Sequence, residues 1–146
     1  MDAPEPTPVD LRDYVAFDLE GAGGRRVFAT DVVAVDLVCL EPGQAVEARV
    51  FSTADAIYTV LGGIAWVVTD AAEVTLTALQ SVILPAGVAH GIRNDSADPL
   101  ILQVVVSPPD EAPRATPGPV VEPSPDLGAP PRAGLLERLR RLLTGG

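Results

Sequence analysis

The sequence predicts an all-β fold of the sandwich or closed-barrel kind, on three observations. Short runs rich in β-branched and aromatic residues recur about every ten residues from Asp10 to Ser107, with Gly, Pro, Asn and Asp clusters between them. No helix-period stripe occurs until the far C-terminus. Of fifteen prolines only Pro42, Pro85 and Pro99 fall inside that stretch, so an apolar, proline-poor body lies between two proline-rich ends.

The elements follow in order. Residues 1–9, with Pro4, Pro6 and Pro8, read as a disordered leader. After the Gly21-Ala22-Gly23-Gly24 turn, Arg25–Ala29 is a short strand. Asp31–Leu40 is a long one, apolar on both faces except at Asp36, whose carboxylate is expected to face solvent at an edge. A strand apolar on both faces requires cover on both sides, from a second sheet or a second subunit. Glu41-Pro42-Gly43 turns the chain. Val46–Phe51, Ile57–Leu61, Ile64–Thr69 and Glu73–Ala78 follow as strands, with Gly62-Gly63 reading as a two-residue hairpin turn. Ser81–Leu84 ends at Pro85-Ala86-Gly87, Ala89–Arg93 ends at an Asn94–Asp98 turn, and Leu100–Ser107 closes the body. The domain is therefore placed at 10–107.

Residues 108–132 hold nine prolines and read as an extended linker that packs no core. Within 133–146, Leu135, Leu136, Leu139, Leu142 and Leu143 form one apolar helical stripe, with Glu137, Arg138, Arg140 and Arg141 opposite. A helix this short is not stable alone in water and needs a surface: the acidic body of its own or a sister chain, another protein, or a membrane face, with docking on a protein partner or its own barrel preferred.

Composition excludes several classes. All ten basic residues are arginine, which removes lysine Schiff-base chemistry and the lysine-bearing phosphate loop. The single cysteine, Cys39, excludes an internal disulfide or a cysteine zinc cluster, and its strand position suits a small core hydrophobe. The net charge of −10 opposes binding to nucleic acid. No apolar run is long enough for a transmembrane span, and the acidic start does not read as a secretory signal, so a cytoplasmic location is expected.

Two spaced motifs carry the functional information. In the first, Gly43 precedes five residues, then Arg49-Val50-Phe51, three residues, Asp55, six residues and Gly62. In the second, Leu79 precedes five residues, then Pro85-Ala86-Gly87, two residues, His90, three residues and Asn94. This framework over roughly residues 30–107 resembles the cupin family of small double-sheet β-barrels. The resemblance implies a single cupin-type double-stranded β-helix, or jelly roll, and, since the family often pairs through sheet faces, a homodimer is expected.

In that family two histidines and a Glu of the first motif join the histidine of the second around one divalent metal. Here Arg49 and Phe51 stand at the histidine positions, Asp55 at the Glu, and only His90, the sole histidine of the chain, is retained. A guanidinium has no free lone pair and a phenyl ring offers no ligand, so Asp55 and His90 are weak metal candidates and no cofactor is expected.

Arg49, Phe51, Asp55 and His90 are the candidate ligand-binding residues. One reading anchors a small anionic or polar ligand on Arg49, with Phe51 as a wall and His90 as acid or base. The structural alternative pairs Arg49 with Asp55, hydrogen-bonds His90 nearby and fills the space with Phe51. The function expected is a metal-free module for small-molecule binding, scaffolding or regulation. The alternative is a dioxygenase- or isomerase-like enzyme using His90 and Asp55, with or without a divalent metal.

Overall fold

The computed structural model describes residues 5–112 and 116–117. The expected terminal helix and most of the expected linker lie outside the described residues. Among the described residues ten strands occur in chain order: β1 (Gly23–Ala29), β2 (Ala34–Leu40), β3 (Ala45–Arg49), β4 (Asp55–Gly62), β5 (Ala65–Thr69), β6 (Glu73–Leu76), β7 (Ser81–Leu84), β8 (His90–Arg93), β9 (Leu100–Ser107) and β10 (Thr116–Pro117). They form a six-stranded sheet, β10-β1-β2-β9-β4-β7, and a four-stranded sheet, β3-β8-β5-β6. The described pairings are antiparallel except β1 with β10. No helix among the described residues is long and apolar enough to cross a membrane.

Alternation builds the core. Leu40, Ala56, Tyr58, Val60, Leu100, Leu102, Val104 and Val106 face inward from the larger sheet and meet Val46, Ala65, Val67, Leu76 and Ile92 of the smaller one. Each large side chain removed from water here contributes about 1.5–3 kcal/mol.

The opposite face of the larger sheet holds a second cluster. Leu37, Cys39 and Ile101 pack under Tyr14 and Val15. The covering segment is anchored by a one-turn 3-10 helix, Leu11–Tyr14, whose N-cap Asp10 accepts from the Arg12 N–H and pairs with its guanidinium. Strand β2 is thus covered by the second sheet on one side. At Leu37 and Cys39 it is covered on the other by the chain's own N-terminal segment, not by a second subunit. Burial pushes the Cys39 thiol up to about 11, the state of a core thiol rather than a reactive one.

Several expectations need correction. Asp36 does not face solvent at an edge: β2 lies inside the sheet, and the carboxylate is buried and forked by Arg26 through bonds of 2.8 and 3.2 Å. Gly62-Gly63 is not a hairpin turn, because β4 and β5 belong to different sheets. Gly63, at φ +89°, carries the crossover where a Cβ would collide with the Pro99 carbonyl. The fold also continues past Ser107: a 3-10 turn spans Pro109–Glu111, Ala112 packs on the main core, and Thr116–Pro117 pair with Arg25–Arg26.

The turns position the motifs. The Gly43 N–H donates to the Asn94 carbonyl at 2.8 Å, and the Gly87 N–H donates to the Phe51 carbonyl at 2.8 Å. Both glycines lie at positive φ, where a side chain is strained. Asn94, fully buried, donates to the Leu40 and Asp98 carbonyls while accepting from Ser96. One asparagine thereby clamps the loop between β8 and β9 to the end of β2.

Candidate functional site

His90 begins β8 and pairs across the strands with Arg49 at the end of β3. Phe51 follows two residues later, held by the Gly87 bond to its carbonyl. Phe51 is 5% exposed and His90 2% exposed, and their rings lie 5.8 Å apart. The structure therefore brings Arg49, Phe51 and His90 together, as alternation along the first motif predicts.

Asp55 is not brought to them. It is exposed at the start of β4, where its Oδ1 accepts from the Ala86 N–H at 2.9 Å. Its neighbours Ala54 and Ala56 are the buried residues, so alternation turns Asp55 outward. The family's acid follows its second histidine after either three or four residues, and the structure selects four. Ala56 then stands at the acid position, with Gly63 following after six intervening residues, at the positive φ of the crossover. The expected Arg49–Asp55 pair is absent, and among the described residues Arg49 forms no salt bridge. Arg49 is half-buried.

Tyr58, missed as a site residue, is the partner of His90. Its hydroxyl lies 2.7 Å from His90 Nε2, with the rings edge to face at 5.2 Å. His90 Nδ1 lies 3.0 Å from the Val88 carbonyl. A carbonyl only accepts, so Nδ1 carries the proton and donates. Nε2 of the neutral ring then holds the lone pair and accepts from the Tyr58 O–H. Burial, aided by the Arg49 charge and opposed by the Val88 bond, holds the imidazole below its ordinary range and so keeps it neutral. Burial likewise pushes the Tyr58 phenol up to about 12, against the Arg49 charge, so the phenol stays protonated as a donor. The signal for Tyr58 was its place two residues beyond Ala56 on the inward face; inside the run Ala56-Ile57-Tyr58-Thr59-Val60 it reads as packing.

These residues do not fit the metal that the family implies. Arg49 brings a fixed positive charge, Phe51 and Ala56 offer no donor, and the His90 lone pair is engaged by Tyr58. Among the described residues no group of three His, Cys, Asp or Glu side chains comes together to hold a metal ion.

A family model described as "Cupin domain" matches residues 36–107. The crystal structure of TT1209 from Thermus thermophilus is similar at 34% identity, with a TM-score of 0.67, 69% of this chain covered and 96% of that one. An uncharacterised conserved protein with a double-stranded β-helix domain from Klebsiella pneumoniae matches at 24% identity and a TM-score of 0.68, over 73% of this chain and 93% of that one. KdgF from Halomonas sp. matches at 17% identity and a TM-score of 0.63, over 71% and 94%. None of the curated proteins matches the chain. With its double-sheet barrel, its two motifs bound to each other through Gly43 and Gly87, and its resemblance to TT1209 along nearly the whole of that protein, this chain belongs to the cupin family.

Proposed function

We propose that this cupin is a metal-independent binding module, with Arg49 as the anchor for a small anionic or polar ligand beside His90. One observation carries the reading: both ring nitrogens of the chain's only histidine are engaged within the protein, Nε2 by Tyr58 and Nδ1 by Val88. A metal would have to displace the Tyr58 hydroxyl and sit beside a guanidinium, at a cost that a single histidine ligand does not offset. Arg49, without a salt bridge among the described residues, stands where the family keeps a ligand to its cation, so the polarity of the site is inverted and suits an anion. Phe51 supplies the apolar wall. Asp55, outside the barrel wall, is not part of this site.

A second reading, a scaffold without a small ligand, is favoured by the packing of Phe51 and Tyr58 into the main core with His90 between their rings. Nitrogen-15 NMR of the His90 ring separates the two. Under the binding reading, a panel of small carboxylates and inorganic phosphate contains a member that moves the His90 and Arg49 side-chain signals, and Arg49→Gln abolishes the response. If no anion moves them, the scaffold reading stands. If Zn²⁺ or Ni²⁺ shifts Nε2 at stoichiometric concentration, the metal-independent reading falls.

A further inference from the structure

The outer face of the larger sheet carries an apolar row that the barrel itself leaves open. The register pairs Phe28 with Val35, Val35 with Val105, Val105 with Ile57 and Ile57 with Ile83. Directly paired residues point to the same face, so these five side chains form one line across five strands, β1-β2-β9-β4-β7. Phe28 is 47% exposed, Ile57 37% and Ile83 55%, while Val35 and Val105 between them are half-buried. On the same face, Leu37, Cys39 and Ile101 are covered by the N-terminal segment. That cover stops before the row.

We infer that the chain's own C-terminal segment, Leu135–Leu143, docks its leucine stripe on the row formed by Phe28, Val35, Val105, Ile57 and Ile83. Four observations favour this occupant. The described residues end at Pro117 on the edge of this same sheet, where Thr116–Pro117 pair parallel with Arg25–Arg26 and so run toward Phe28. Seventeen residues separate Pro117 from Leu135. At about 3.1 Å per residue they reach about 50 Å, well beyond a row that spans about 19 Å at the usual strand spacing.

The shapes also agree. In helical form Leu135–Leu143 is about 13 Å long, presents five leucines to one side, and cannot persist in water without such a surface. Charge complements the fit. Residues 11–107 carry twelve acids against five arginines, and Asp55 lies on the row's own face, two residues from Ile57. The segment's other face carries Arg138, Arg140 and Arg141 against the single Glu137. Asp55, lost as a metal or pocket residue, thus borders the docking surface.

The test is disulfide trapping in the full chain. Ile83→Cys combined with Leu139→Cys, both on one chain, is oxidised at low micromolar concentration; buried Cys39 stays in place. The expected result is an intramolecular disulfide in a monomeric band, with a yield at least several-fold above that of Val74→Cys with Leu139→Cys, whose first cysteine lies on the other sheet. Equal yields from the two pairs overturn the inference. Covalent dimers through Ile83→Cys on both chains overturn it in favour of a second copy on this face. As an independent check, Leu139→Asp is expected to raise binding of a hydrophobic fluorescent dye several-fold; unchanged dye binding also overturns it.

Discussion

The neutral state of His90 has a consequence for stability. Its pKa in the folded protein lies below the 6.5 of a free histidine, chiefly through burial, so the unfolded chain binds a proton more readily than the folded one. Its contribution is therefore intact above pH 6.5 and is lost progressively as the pH falls below that value toward the folded pKa. Chemical denaturation between about pH 7.5 and 5 is expected to show falling stability in the wild type and a flatter profile in His90→Asn over the same window. Equal slopes would separate His90 from the effect. Leu79 offers a second test at this scale. It stands where the family has the opening glycine of the second motif, and it holds φ +68° while 80% exposed. A left-handed leucine costs about 1–2 kcal/mol, and glycine returns part of that in chain entropy. Leu79→Gly should therefore raise stability by about 0.5–1 kcal/mol in urea unfolding.

At the scale of elements, the strands were legible because alternation and turn residues coincide. Ser81–Leu84 and Leu100–Ser107 fall where the sequence places them. Gly43 and Gly87 occupy the positive-φ turns that Pro42-Gly43 and Pro85-Ala86-Gly87 announce. What local pattern does not encode is which strand pairs with which. Gly62-Gly63 has the chemistry of a hairpin but serves a crossing between sheets, because β4 finds β7 and β9 as partners. The crossing explains why Gly63 tolerates no side chain: both its φ of +89° and the nearby Pro99 backbone forbid a Cβ. Gly63→Ala is expected to cost about 2–3 kcal/mol in the same assay, and Gly43→Ala, with open space around its Cβ position, distinctly less. The site was legible to the same depth. Arg49, Phe51 and His90 follow from spacing and alternation. Asp55 against Ala56 turns on a single residue of register, which only the burial of Ala56 and the outward face of Asp55 decide.

For the whole molecule, acid and proline are segregated: residues 11–107 carry most of the acid, and the C-terminal region carries most of the proline. The barrel encloses a polar pair, Tyr58 and His90, among the apolar side chains of the main core, with a half-buried arginine beside it. Its larger sheet offers an apolar outer row, the surface proposed above for the leucine-bearing C-terminal segment. Under the proposed function, loss of the family's ligands has left a barrel that works without metal. The most direct measurement is the transition-metal content of the full chain, purified without chelator and then dialysed with Mn²⁺, Ni²⁺ and Zn²⁺ in turn. Well under one equivalent per chain is expected in every case, with no difference between the wild type and His90→Asn. One equivalent held by the wild type and lost in His90→Asn would contradict it.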